Sequence, residues 1–245
     1  MVLKTEGGRD SYKCTMGKKK EEKIQHYSSS EDMSISLCRC TMGKKKEKKI
    51  QHYSSSQKIL LVGEGDFSFS ACLARAFRSA ANMVATSLDS KDTLLTKHRS
   101  CVPHLEDLKR RGCLVLHEVD AYDMNQHPTL MSMKFDVIIF NFPHAGHFSW
   151  LCERDEELID ARKMLNRDGE VHVAHRDDYP YYEWKIVELS KRAGLYLKEK
   201  VEFYKVDYPG YHNKRGGDIE CNKTFPLKSC FTFKFSLQKK YRSNA

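Results

Sequence analysis

Lys58-Ile-Leu-Leu-Val-Gly-Glu-Gly-Asp-Phe-Ser-Phe-Ser70 is the stretch on which the fold turns. Its apolar run, residues 59–62, ends at a glycine, as a parallel strand buried on both faces does. Residues 67–79 then place Phe69, Leu73, Ala76 and Phe77 along one face of a helix. Residues 82–88 read as a second strand. Residues 92–111 are helical, with a break near Pro103, because proline brings no amide hydrogen to a helix interior. Further strands are expected at 113–119, 135–141 and 170–174. Further helices are expected at 155–165, stopped by Asp168-Gly169, and at 181–193, capped by Gly194. Two last strands, 195–206 and 229–235, are joined by a loop with no helix.

Strand and helix thus alternate at the spacing of βαβ units, which predicts an α/β fold. Right-handed crossovers make this an open, mostly parallel sheet of seven strands covered by helices on both faces. The helix-free link before the last strand makes that strand antiparallel.

Upstream of Lys58 the composition changes. Fourteen Lys and Arg against seven Asp and Glu put +7 of the net +9 charge within residues 1–58. Cys14 to Ser30 (CTMGKKKEEKIQHYSSS) recurs as Cys40 to Ser56, 26 residues later, with Lys48 in place of Glu22. Solenoid repeats need three or more units with an apolar face to stack, and these have neither. The reading is a disordered basic arm over residues 1–57, a folded domain over 58–236 and a basic tail over 237–245. The lysine runs at 18–20 and 44–46 fit three roles: phosphate contact, nuclear import, or plain solvated charge. The sequence contains no apolar run of the roughly 18–20 residues that cross a bilayer. The first ten residues lack a secretory core, so an intracellular protein is expected. The nine cysteines show no CxxC pair and read as reduced thiols rather than metal ligands.

Ligands of open α/β sheets bind beyond the carboxyl ends of the strands. After the first strand come Gly63, Glu64, Gly65, Asp66, Phe67 and Ser68. Two glycines let the backbone approach a ligand closely. A dinucleotide fingerprint needs glycine or alanine at Ser68, and the two acids stand where a pyrophosphate would lie. S-adenosylmethionine, cationic and free of phosphate, suits the loop better, with Glu64 or Asp66 against its methionine end. Asp89, closing the second strand, is placed to accept from both ribose hydroxyls; a helix cap is its plainer role. Asp120, closing the third, is a candidate for the adenine amino group. Asn141-Phe142-Pro143-His144 closes the fourth strand and offers amide groups and a stacking face to a base. Tyr208, Tyr211, Lys214 and Arg215 lie in a flexible aromatic and basic loop suited to RNA.

These motifs resemble, in order and over roughly residues 58–235, the eukaryotic family of 25S ribosomal RNA (uridine-N3)-methyltransferases. The resemblance is carried by residues 59–70, Asn141-Phe-Pro-His-Ala-Gly146, Gly169-Glu-Val-His-Val-Ala-His175 and Tyr208-Pro-Gly-Tyr-His-Asn-Lys-Arg215. It implies a Rossmann-like class I fold, S-adenosylmethionine as methyl donor, ribosomal RNA as partner, N3 of uridine as acceptor and a nuclear or nucleolar location, with the cytoplasm as the alternative. It places Asn141, Phe142 and Pro143 at the acceptor base and makes His144 a base or an orienting group. The segment 146–153 is shorter than the family's loop and helix. A noncatalytic cofactor- or RNA-binding module in ribosome assembly, a nicotinamide-dependent reductase and a metal-binding protein are the rival readings.

Overall fold

A computed structural model describes residues 46–143, 156–215 and 220–237. In chain order they form β1 (Lys49–Ile50), β2 (Tyr53–Ser54), β3 (Ile59–Val62), α1 (Ser68–Phe77), β4 (Met83–Thr86), α2 (Lys91–Lys97) and α3 (Cys101–Arg110). There follow β5 (Leu114–Leu116), β6 (Phe135–Asn141), α4 (Glu156–Lys163), β7 (Leu165–Arg176), α5 (Ile186–Arg192), β8 (Tyr196–Glu202) and β9 (Cys230–Ser236). Strands β3 to β9 make one seven-stranded sheet in the order β5-β4-β3-β6-β7-β9-β8. All pairings from β5 through β7 are parallel, and β9 runs antiparallel to both β7 and β8. This is the expected α/β sheet with an antiparallel final strand, a Rossmann-like arrangement.

The two-residue period of a strand explains why β3 is apolar throughout. Ile59 and Leu61 point to one face and join Phe69, Leu73, Phe77 and Leu108 under α1 and α3. Leu60 and Val62 point to the other and join Leu158 and Ala161 of α4, with Leu195. With a helical layer on each face, no polar alternation is possible in the central strands.

The structure moves three boundaries. The folded domain reaches back past Lys58, because the end of the second repeat copy forms the β1–β2 hairpin. Tyr53 is only 2% exposed and packs against Phe69, His172 and Tyr208. Glu47 accepts hydrogen bonds from the Ser54 and Ser56 hydroxyls and fastens the hairpin's ends together. Next, Asp168-Gly169 does not separate a helix from a strand. β7 already starts at Leu165, and its register against β6 shifts between Phe135 and Val137. A Cβ on Gly169 would stand 2.8 Å from the Phe135 carbonyl oxygen, so this irregularity requires glycine. Finally, the helical stretch after β4 is two helices, and Pro103 sits in the first turn of α3, where no intrahelical donor is lost. Residues 1–45, including the first repeat copy, lie outside the described residues, as do His144, the segment 146–153 and the tail from 238. Among the described residues no helix is long and apolar enough to cross a membrane.

Candidate active site

From β3 the chain moves to one side of the sheet through β4 and β5, then crosses to the other side at β6. The carboxyl ends of β3 and β6 therefore flank the switch point, where such sheets hold ligands. A cleft of about 580 Å³ opens there, a volume ordinary for small-molecule sites. Gly63, Glu64, Gly65, Asp66 and Ser68 line it, together with Asp89, Asp120, Asn141, Phe142 and Pro143, as do Tyr211, Lys214 and Arg215. Most residues singled out from the sequence thus meet in one place.

The glycine loop turns at Gly63, whose φ is +68° and above which a Cβ would touch nothing within 4 Å. Backbone is therefore open to the cleft there. The two acids are engaged with α1. Glu64 accepts from the Ser70 amide (3.1 Å) and hydroxyl (2.7 Å), and Asp66 accepts from the Ser68 amide at 3.0 Å. Together they satisfy orphan donors of the helix's first turn and face the positive end of its dipole. Burial lifts the Glu64 carboxyl to about 7, although its bonds to Ser70 pull the other way. Phe67 is corrected: its backbone is left-handed (φ 57°), but its ring is fully buried near His117 and faces the core instead of the cleft.

Asp89 does not cap α2; the Ser90 hydroxyl does, accepting from the Thr93 amide. The Asp89 carboxylate is paired with Lys97 at 2.7 Å, each about a quarter exposed, on the cleft wall. The Asp120 carboxylate accepts from the Tyr122 amide at 3.0 Å. Glu157 of α4 also lines the wall, and burial raises its pKa, with the Asp120 charge adding to the rise. Leu88, 65% exposed, and Val119 give this end of the cleft an apolar surface.

At the β6 end, Asn141 closes the strand opposite Ala174. Its amide nitrogen Nδ2 is buried and has no hydrogen-bond partner among the described residues. Phe142 bends the chain through a left-handed conformation, φ 52°. Its ring stands edge-to-face with Phe203 and Phe225, at 5.3 and 5.4 Å, so aromatic neighbours already hold it.

The aromatic and basic loop is also corrected. Tyr208 and Tyr211 are 3% and 8% exposed, packed on Phe69 of α1 at 4.9 and 5.2 Å. Buried rings cannot stack on RNA bases. The loop is tied down onto the glycine loop: the His212 amide donates to the Ser68 hydroxyl at 2.9 Å, and that hydroxyl lies 3.3 Å from the His212 carbonyl. Lys214 and Arg215 consequently border the cleft beside Gly65. His98, Lys97, Tyr122 and Glu157 were not singled out from the sequence, yet they line the cleft. Nothing in their spacing distinguishes them; only the three-dimensional return of α2 and α4 to the strand ends does.

Residues 60–215 match the family described as BMT5-like, rRNA (uridine-N3-)-methyltransferase BTM5-like. A heavy metal-associated isoprenylated plant protein of Arabidopsis thaliana is 47% identical over 73% of this chain, which spans only 36% of that relative's length. An uncharacterized protein of the same plant is 46% identical, covering 73% of this chain and 92% of the relative. The 25S rRNA (uridine(2634)-N(3))-methyltransferase of Saccharomyces cerevisiae is 22% identical, covering 77% of this chain and 74% of the yeast protein.

Proposed function

The chain belongs to the BMT5-like rRNA (uridine-N3-)-methyltransferase family, and from that membership we propose that it methylates N3 of uridine in large-subunit ribosomal RNA. The proposed donor is S-adenosylmethionine. The cleft suits it in several ways. It lies at the switch point, and open backbone at Gly63 allows close approach. Asp89 stands where ribose hydroxyls need an acceptor, and Asp120 with apolar Leu88 and Val119 suits an adenine. Asp66 supplies negative charge for the donor's cationic end, joined by Glu64 in its ionised form, whose pKa of about 7 a bound cation would lower. When bound, the donor supplies an activated methyl group.

The observation that carries the acceptor side is the Asn141 amide nitrogen, buried and without a hydrogen-bond partner among the described residues. An unpaired buried donor is costly unless a ligand satisfies it. A uracil carbonyl next to N3 is such an acceptor. Asn141 then fixes the edge of the base, and β6, paired on both sides, fixes Asn141. Phe142, held by Phe203 and Phe225, and Pro143 form a stiff wall on which the base orients. Orientation of this kind lowers the barrier for attack by N3 once its imide proton has left. His144 is our candidate for receiving that proton. Exposed Tyr179 and Tyr182, 72% and 55%, follow the carboxyl end of β7 and are candidates for stacking on flanking bases. A ribosomal RNA substrate is consistent with action in the nucleus or nucleolus, the cytoplasm being the alternative.

The test is methyl transfer. Purified protein, labelled donor and large-subunit ribosomal RNA should yield 3-methyluridine by mass spectrometry of the digested nucleosides. Donor binding with no methylated uridine in any ribosomal RNA would favour the noncatalytic assembly module instead.

A further inference from the structure

Tyr208 and Tyr211 are buried, so the base stacking expected of their loop has to lie elsewhere. The sheet shows where. Arg176 of β7 pairs with Cys230 of β9, and the Cys230 carbonyl accepts from the Phe203 amide at 2.9 Å. One step further, the Asp177 amide donates to the Ser229 carbonyl at 2.8 Å, and Lys200 of β8 reaches Asp177 at 2.5 Å. β8 runs parallel to β7, since both are antiparallel to β9. The segments after β7 and β8 therefore leave the sheet at the same edge as Asn141, about 10 Å from each other, two strand spacings.

Both segments turn tyrosines outward. The backbone stays extended through Tyr204 (φ −109°, ψ 121°), so neighbouring side chains point opposite ways. Phe203 turns in, stacked on Tyr208 and edge-on to Phe142. Tyr204 turns out and is 54% exposed. After β7, the Arg176 guanidinium pairs with Asp178 at 2.5 Å and lies 4.3 Å over the Tyr181 ring. With Tyr181 held there, Tyr179 and Tyr182 face solvent, their ring centroids 6.2 Å apart.

We infer that the carboxyl ends of β7 and β8 form a base-stacking track for the RNA strand flanking the target uridine, with Tyr179, Tyr182 and Tyr204 as its platforms. The inference rests on the RNA substrate proposed above and gives the strand a direction: it leaves the cleft over β7 and β8. Continuity favours this course, because Phe203 joins Tyr204 directly to Phe142 on the cleft wall. Charge disfavours the opposite course. The ends of β4 and β5 carry Asp89, Glu118, Asp120 and Asp123, of which Asp89 is paired with Lys97, and such a rim repels phosphates. Around the tyrosines, Lys200 and Arg176 neutralise Asp177 and Asp178, and Lys185, Lys205 and Lys228 offset Glu183, Glu202 and Asp207. That surface is close to neutral, so it holds base faces rather than phosphates.

The experiment is fluorescence anisotropy of the full chain with a labelled single-stranded oligouridylate of about twelve nucleotides, read across a salt series. Tyr179→Ala, Tyr182→Ala and Tyr204→Ala should each weaken binding by about 5- to 150-fold, the equivalent of one stacked base. Phenylalanine at the same positions should restore it, because stacking needs the ring and not the hydroxyl. The salt slope should stay that of the wild type, since no phosphate contact is removed. Tyr196→Ala, at the amino end of β8 and 40% exposed, is the control and should change nothing. Wild-type binding that survives the three alanine substitutions would overturn the track and leave the surface to a protein partner. A loss that phenylalanine does not restore, a flattened salt slope, or no binding of the oligouridylate by the wild type would overturn it as well. Failure of the RNA reading itself is read separately, from the absence of 3-methyluridine in the transfer assay.

Discussion

Asn141 and Glu64 each place a buried polar group at a strand end, the Asn141 amide nitrogen and the Glu64 carboxyl, and the two differ in what satisfies them. The Asn141 amide nitrogen awaits a partner, so its removal should be felt when the acceptor base is present. Asn141→Ala should slow single-turnover methyl transfer by about 10–100-fold, the equivalent of one buried hydrogen bond, with donor affinity nearly unchanged. A collapse of donor affinity with an intact rate at saturation would move the residue to the cofactor side. Glu64 is satisfied by Ser70 but buried, and its pKa stands at about 7 against an ordinary 4.5. Folding therefore takes up a proton at pH values between the two. The stability that this acid form contributes is complete below about 4.5 and is lost as pH rises through 7. Glu64→Gln should raise stability at pH 8 by up to about 3 kcal/mol, with the gap closing toward pH 4.5. Urea unfolding at several pH values measures it, and a gap independent of pH would contradict the assignment. The sequence made the strand-end residues legible because an apolar run stopping at a polar residue marks both the strand and its mouth. It did not reveal which way the aromatics face. Tyr208 and Tyr211 suit a base as well as a core, and Phe69 of α1 decides for the core, whereas Phe142, held by Phe203 after β8 and Phe225 before β9, stays on the cleft wall.

At the scale of elements, the sheet strands and most helices follow from periodicity, and the hairpin does not. Its six residues, Lys49 to Ser54, carry no apolar alternation beyond Ile50 and Tyr53, and the same residues occur 26 positions earlier. What sets the second copy apart is its attachment to β3, which delivers Tyr53 to the pocket between Phe69, His172 and Tyr208. Tyr53→Ala should cost about 3–5 kcal/mol, the usual loss for a buried aromatic. A chain lacking residues 1–38 should keep the thermal midpoint and donor affinity, whereas one lacking 1–57 should lose stability with the hairpin. Scanning calorimetry of both truncations checks this; equal midpoints would mean that the hairpin only rests on the surface. α2 and α3 teach a related lesson. Pro103 signalled a break, which the structure places at residues 98–100 rather than at the proline, and only the folded chain shows that the break carries His98 into the cleft.

The whole molecule was legible in its class and strand count, because seven apolar segments at regular spacing admit few arrangements. Strand order across the last three was less so. Nothing local in residues 230–236 says that they insert between β7 and β8 rather than beside β8 alone. That insertion governs how the molecule can be assembled. Among the described residues β8 pairs with the sheet only through β9, so it leaves the ribosome with α5 to pack on but before its pairing strand exists. Until Ser236 has been added, the nascent chain must carry β7 with a bare edge and β8 with nothing to pair, both prone to association with other strands. Domains that close on their last strand cannot fold progressively with synthesis; they wait, then complete in one step. A nascent chain stalled at residue 228 should accordingly be protease-sensitive across β7 and β8 and bind holdase chaperones, while one extended past 237 and clear of the ribosome becomes resistant. A premature stop anywhere in the final strand would then leave no partially active enzyme, only a chain marked for disposal.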